Sequence, residues 1–146
     1  MSRRNGRVIA FQALYSWDVT KASLDDLLSF SWLQGQSDQP AEPSESAKEE
    51  RSFASLIIAG TIDHIDEIDK LIESHLSASW SMDRISRVAL AILRVSVYEL
   101  LFQKGAEAKI VIDEAVNIAK DFDADDSYKF INAVLDKIGK NEAKKA

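Results

Sequence analysis

Residues 88–102 read VALAILRVSVYELLF, and this stretch decides the fold class. Apolar side chains fall on nearly every face of a helix drawn through it, and only Arg94, Ser96 and Glu99 interrupt them. A helix that is apolar all round must be covered by other elements, so we expect it at the centre of a bundle. The run also falls short of the roughly 20 apolar residues that a membrane span needs, so no contact with membrane is expected.

The segments on either side of this stretch also carry the helical period, and none shows a convincing period-two alternation. Helices are predicted over residues 4–18, from a cap at Ser23 with Asp26 three residues on, over 109–122 and from 127 onward. Residues 47–76 predict two consecutive helices or one helix bent near 60–63, and Gly105 predicts the end of the central helix. The sequence therefore predicts an all-α, compact bundle of about seven helices around a buried central helix.

The domain organisation follows from where this pattern stops. Residues 34–46 contain Gly35, Pro40, Pro43 and several serines, and they predict a solvated loop. Residues 1–140 are predicted to form a single helical domain, and residues 141–146 a basic tail. With no cysteine in the chain, disulfides and thiol catalysis are excluded. The amino terminus lacks the apolar core of a secretory signal, so the expected location is the cytoplasm.

Catalytic and metal-binding motifs are missing from the sequence. The two histidines, His64 and His75, stand about three helical turns apart and belong to no metal-binding motif. The carboxylates of residues 63–73 are typical of a solvated helix face. The five glycines are scattered singly, so no phosphate loop is expected. We therefore expect no enzyme activity, no cofactor and no metal.

The charge distribution points to an anionic ligand more than the total charge does. The formal net charge is −6, but the acidic residues concentrate in the middle of the chain. The first helix opens with Arg3, Arg4 and Arg7, whose planar guanidinium groups suit phosphates and bases. Single-stranded RNA is bound by such cations together with planar side chains that stack on unpaired bases.

Planar and polar side chains for this purpose occur near both ends of the chain. Tyr15 and Phe130 are candidates for stacking, although Phe130 alone favours a core position at the start of the last helix. Gln12, Asp126 and Ser127 offer hydrogen bonds to base edges. These residues converge only if the first and last helices lie side by side, which sequence cannot establish.

Four segments resemble the NusB family of transcription antitermination factors and occur in the family's order. They are residues 3–17 (RRNGRVIAFQALYSW), 91–100 (AILRVSVYEL), 112–120 (IDEAVNIAK) and 126–137 (DSYKFINAVLDK). The last segment is the most specific. Together they span nearly the whole chain, apart from the loop at 34–46 and the tail.

The resemblance implies a non-catalytic protein that binds boxA, a short single-stranded element of ribosomal RNA leaders. It implies NusE, a small-subunit ribosomal protein, as partner, and an RNA polymerase antitermination complex as the setting. The RNA contacts that it implies are Arg3, Arg4, Arg7, Gln12, Tyr15, Asp126, Ser127, Lys129 and Phe130. The partner contacts that it implies are Arg94, Tyr98 and Glu99.

The chain departs from the family pattern at three places. Ala89-Leu90 replaces a common Glu-Arg pair, Asn5-Gly6 thins the arginine cluster, and Asp123 stands where glycine is common. We expect Asp123 to tolerate a left-handed helix end, and a log–log salt slope of RNA binding of roughly −2 to −3.

Two alternatives and one question of assembly remain open. The chain is alternatively a helical protein-interaction module whose RNA binding is weak or lost. An RNA-modifying enzyme is not expected, since no Gly-rich cofactor domain follows the resemblance. A homodimer that hides the RNA surface is possible.

Overall fold

The computed structural model describes residues 3–34, 44–77, 80–124 and 126–145, which form helices and their connections. Its seven α-helices are α1 (Arg3–Thr20), α2 (Leu24–Ser29), α3 (Glu45–Asp63), α4 (Ile65–Ser74), α5 (Arg87–Val97), α6 (Ala108–Phe122) and α7 (Ser127–Lys145). Short 3-10 turns cover Ser31–Gln34 and Met82–Arg84, and a π-helical turn, Tyr98–Gln103, continues α5. Over these ranges there is no strand, so the all-α prediction is confirmed.

The central position of α5 is also confirmed. Its residues Ala89–Val97 are all buried. Helices α1 and α3 pack together on one side of α5, while α6 and α7 pack together on another, and α4 closes the bundle. The apolar stretch at residues 88–102 therefore organises the fold, because each of the longer helices buries its apolar face against α5 or against a neighbour of α5.

Local signals account for several helix boundaries. The Ser23 side chain accepts a hydrogen bond from the Asp26 backbone N–H at 3.1 Å, which confirms the cap predicted for α2. Ser86 caps α5 in the same way, accepting from the Ala89 N–H at 3.0 Å. The segment at residues 47–76 is two helices that meet at His64, one of the two forms that the sequence left open.

Two predictions about how helices end are corrected. The left-handed residue that ends the central helix is Lys104, with φ 53°, and not Gly105. Asp123, for which we expected left-handed geometry, is extended, with φ −123° and ψ 179°. Its carboxylate instead accepts hydrogen bonds from two serines, so it has a bonding role that a glycine cannot supply.

The predicted loop and tail have different outcomes. Residues 35–43, most of the loop at 34–46, lie outside the described residues, and α3 begins at Glu45 with Ser44 as its cap. Helix α7 runs to Lys145 and so includes most of the segment predicted as a basic tail. Within the described ranges, no helix is long and apolar enough to cross a membrane.

Candidate nucleic-acid interface

Arg7 and Glu99 were assigned to two different ligands by the sequence, and the structure pairs them with each other. Arg7 Nε lies 2.8 Å from Glu99 Oε1, and Arg7 Nη2 lies 2.5 Å from Glu99 Oε2. Both side chains are buried. The hydrogen bond and charge of Glu99 raise the pKa of Arg7, in spite of burial, which acts to lower it. The pair joins α1 to the π-helical turn and leaves neither group accessible to a ligand.

Arg94 is also buried, in a second ion pair. Its Nε and Nη2 lie 2.9 Å from the two carboxylate oxygens of Asp69 on α4, and its guanidinium packs over Trp17 of α1. Asp18, at 3.9 Å from Arg94 Nη1, is held by Arg87 at 3.0 Å. Arg94 therefore joins α5 to α4 and to α1 within the bundle.

The third predicted partner residue, Tyr98, is half-buried. Its ring stacks on Phe102 at 5.9 Å and lies directly against the backbone of Gly60 on α3. Arg94, Tyr98 and Glu99 are thus close together along α5 and its π-helical continuation, but their side chains are directed to different neighbours inside the protein.

The two exposed arginines of the first turn diverge. Arg3 lies over the Phe53 ring of α3, 5.5 Å from its centre. Arg4 turns to α6, where its Nη2 lies 3.3 Å from Asp121 and its Nε lies 3.9 Å from Glu114. Of the predicted arginine cluster, only Arg4 therefore reaches the side of the bundle on which α6 and α7 lie.

Gln12 and Tyr15 line a shallow cavity between α1, α5 and α6, of about 240 Å³. Phe122, at the end of α6, forms the opposite wall, and its ring meets Phe11 edge to face at 5.1 Å. Tyr15 and Phe122 are both exposed, by 37% and 45%. We call this the α1 cavity.

A larger cavity, of about 520 Å³, lies at the start of α7. It brings together three predicted residues, Asp126, Ser127 and Phe130. Its other lining residues, which the sequence did not assign to RNA, include Trp80 and Arg84. The Phe130 ring is half-buried and stacks on Trp80 at 5.3 Å, so it contacts both the core and the cavity. We call this the α7 cavity; Lys129 is exposed beside it, paired with Asp126 at 3.6 Å.

The end of α6 connects the two cavities. Phe122 lines the α1 cavity and the next residue, Asp123, lines the α7 cavity. Asp123 Oδ2 accepts hydrogen bonds from Ser86 at the start of α5, at 3.0 Å, and from Ser127 at the start of α7, at 2.5 Å. Gln12 and Tyr15 therefore line one cavity, and Asp126, Ser127 and Phe130 line a second cavity that adjoins the first at the end of α6 and the start of α5. We call the two cavities, with Arg4 and Lys129, the bridging surface.

The sequence contained a signal for one of the residues that it left unassigned. Trp80 lies in a polar stretch, SASWSMDR, without helical apolar neighbours, and it is 45% exposed. A large aromatic residue in such a stretch is a candidate for ligand contact, because the neighbouring residues form no apolar helix face of which it would be part. Arg84 and Phe122 carried no comparable signal.

Fold and surface together define an all-helical protein with a candidate nucleic-acid-binding face. In the described part of the chain, no group of acidic and histidine side chains is placed to hold a metal ion. A profile of the NusB family matches residues 4–140. The chain belongs to the NusB family, which confirms the resemblance seen in the sequence.

Relatives and solved structures agree with this membership. The chain is 51% identical to the transcription antitermination protein NusB of Treponema denticola, over 94% of this chain and 96% of that protein. It is similar to T. maritima NusB, with a TM-score of 0.77, 32% identity and coverage of 100% and 99%. It is also similar to a chain in the crystal structure of the antitermination factors NusB and NusE in complex with dsRNA, with a TM-score of 0.78, 30% identity and coverage of 95% and 96%.

Proposed function

We propose that this protein is a non-catalytic antitermination factor that binds boxA-type single-stranded RNA of ribosomal RNA leaders together with NusE. The observation that carries the proposal is its similarity, over nearly its full length, to a chain from a crystal structure of NusB and NusE in complex with dsRNA, which supports binding to RNA and to NusE. The preference for a single strand rests on the family resemblance and on the exposed aromatic residues. The setting that we propose is the RNA polymerase antitermination complex in the cytoplasm, with residues 1–140 as the RNA-binding domain.

The bridging surface is the proposed RNA site. Its exposed cations, Arg4 and Lys129, contact phosphates, while Tyr15 and Phe130 stack on bases. Gln12 lines the α1 cavity, Asp126 and Ser127 line the α7 cavity, and all three have polar atoms for base edges. Arg3 extends the cationic surface toward α3, whereas Arg7 holds α1 in position from inside and does not contact RNA.

For NusE we propose an indirect role for the three predicted partner residues of α5 and its π-helical turn. Arg94 is buried in an ion pair with Asp69, and Glu99 is buried in an ion pair with Arg7. Tyr98 fills the space over Gly60. They fix α5 and its π-helical turn against α1, α3 and α4. They therefore set the shape of the surface that the partner meets, and do not form contacts of their own.

The competing proposal is a helical protein-interaction module with weak or lost RNA binding. Its support is electrostatic: the net charge is −6, Arg4 is paired with Asp121, and Arg7 is buried. It predicts that the protein binds NusE tightly. It also predicts that the protein binds RNA no more strongly than an unrelated acidic protein of the same size does.

The deciding experiment is fluorescence anisotropy with a labelled boxA-type single strand. It is run at two salt concentrations, with and without NusE, and beside a scrambled strand and the same sequence as a duplex. Salt-dependent binding that favours boxA and tightens with NusE supports the antitermination factor. Equal binding of duplex and single strand contradicts single-strand recognition, and NusE binding without RNA binding supports the interaction module. Sedimentation of the free protein at the same concentrations tests for a homodimer.

A further inference from the structure

We propose that Trp80 and Phe130 form a subsite for one unpaired nucleobase, with Arg84 holding a phosphate beside it. This inference rests on the proposed RNA binding and adds Trp80 and Arg84, which neither the sequence pattern nor the family resemblance assigned to RNA, to the previously assigned Phe130. The subsite is the α7 cavity.

The aromatic pair is arranged to receive a third ring. Trp80 and Phe130 stack with ring centres 5.3 Å apart and planes inclined by 30°. Phe130 is anchored against the core on α7, whereas Trp80 keeps 45% of its surface exposed. A base that stacks on Trp80 therefore meets a ring that Phe130 already holds in place, so little side-chain conformational entropy is lost on binding.

The lining of the cavity matches a base in its polarity. Beside the aromatic pair, the cavity is lined by the buried apolar side chains of Ile85 and Ala89 and by the more exposed polar side chains of Asp126 and Ser127. A nucleobase has apolar faces and polar edges, so it requires this combination of a flat apolar contact and a few polar atoms at the periphery.

One cation of the cavity is available to an anionic ligand. The Arg84 side chain lines the cavity and is exposed, and it makes no ion pair or hydrogen bond with another residue in the described ranges. The carboxylates nearby are held by other groups, since Asp123 accepts hydrogen bonds from Ser86 and Ser127, and Asp126 is paired with Lys129. An uncommitted guanidinium group therefore lies beside a stacking platform, the combination that a nucleotide requires.

The test compares Trp80→Leu, which removes the ring but keeps apolar bulk, with Trp80→Phe, which keeps a ring. Affinity is measured for the boxA-type strand and for a series of strands that each carry one abasic position. We expect Trp80→Leu to weaken binding about ten-fold and Trp80→Phe to weaken it much less. At one position, the abasic strand should bind wild type and Trp80→Leu equally, because the base that Trp80 contacts is already missing.

Arg84→Ala provides a second, independent measurement. It should weaken binding about equally for the intact strand and for that abasic strand, since a phosphate is present in both. Leu56→Ala, on an exposed face of α3, is the matched control and should change nothing. Thermal melting of each variant ensures that only folded protein is compared.

The outcomes separate this inference from the function on which it rests. If wild type binds no RNA with or without NusE, both are overturned. If wild type binds but Trp80→Leu binds equally well, or if its loss is the same for every abasic strand, the nucleobase subsite alone is overturned.

Discussion

A buried charge is stable only when a group of opposite charge satisfies it, and Arg7 and Glu99 satisfy one another across two elements of the bundle. The pKa of Arg7 is raised, so its contribution to stability is complete below the ordinary pKa of arginine and is lost only above it. We therefore expect Arg7 itself to add no pH dependence to folding near neutral pH.

Removing one member of this pair should destabilise the fold strongly. Arg7→Met leaves Glu99 charged and buried without a partner, and we expect the free energy of unfolding to fall by about 3–5 kcal/mol. Urea denaturation followed by circular dichroism measures the loss.

The double variant Arg7→Met/Glu99→Leu is the matched control. It replaces both charges by apolar groups and should recover most or all of the stability. Its RNA affinity should equal that of wild type, because Arg7 acts from inside the protein. Restored stability with a persistent RNA defect would instead make Arg7 an RNA contact.

Gly60 supports a prediction of overpacking. A Cβ at this position would overlap the Tyr98 ring, so Gly60→Ala should destabilise the protein by about 1–3 kcal/mol. Removing the ring in Gly60→Ala/Tyr98→Ala should make the two losses less than additive, as measured by a double-mutant cycle in urea.

A second glycine shows whether the effect is steric. Gly139→Ala on α7 would place a Cβ 3.6 Å from Leu100 Cδ2, an ordinary contact. Since alanine favours a helix interior over glycine, this variant should be neutral or more stable by up to about 1 kcal/mol. Equal losses at Gly60 and Gly139 would contradict the steric explanation.

At the scale of elements, Asp123 joins the ends of three helices, since it ends α6 and accepts hydrogen bonds from Ser86, the cap of α5, and from Ser127, the first residue of α7. We expect Asp123→Ala to cost about 1–2 kcal/mol of stability and to weaken RNA binding by loosening both cavities. Asp123→Asn keeps an acceptor oxygen and should retain most of both properties.

Hydrogen exchange distinguishes this local effect from general destabilisation. In Asp123→Ala, protection should fall first in the opening turns of α5 and α7, while α3 keeps its wild-type protection. A uniform loss of protection across all helices would contradict the linking role of Asp123.

Local chemistry determined which elements were predictable. The cap at Ser23 and the all-round apolar character of α5 depend on neighbouring residues alone, so the sequence identified both. The left-handed end at Lys104 and the extended Asp123 depend on what the chain meets next, and there the prediction was wrong. The pairing of Arg7 with Glu99 spans most of the chain and left no local signal.

The same distinction applies to the candidate site. Phe130, Ser127 and Asp126 are close in sequence, and the structure brings them into one cavity, as the start of a single helix requires. Gln12 and Tyr15 reach the same face only because α5 and α6 intervene, and Trp80 reaches it through the connection before α5. Contacts of this kind follow from tertiary packing, which local patterns of neighbouring residues do not reveal.

For the whole molecule, a net charge of −6 opposes binding to any polyanion, so the bridging surface must act locally. Exposed cations on or beside it are Arg4, Arg84 and Lys129, and two of them, Arg4 and Lys129, also face the carboxylates of Asp121 and Asp126. Arg7 and Arg94 are instead buried in their ion pairs. We therefore expect the net charge to weaken binding to a long duplex more than binding to a short strand that follows one surface.

Salt dependence measures how many of these cations meet phosphates. With three contacts on a single strand, the slope of log affinity against log salt concentration should be about −2, within the range expected from the sequence. Arg4→Ala, Arg84→Ala and Lys129→Ala should each make the slope shallower by about 0.7, and all three together should bring it near zero. The Arg7→Met/Glu99→Leu variant should keep the wild-type slope, since it removes one positive and one negative charge that are both buried. If instead that variant loses slope while Arg4→Ala does not, RNA follows the α3 side of the first turn, where Arg3 and Phe53 lie.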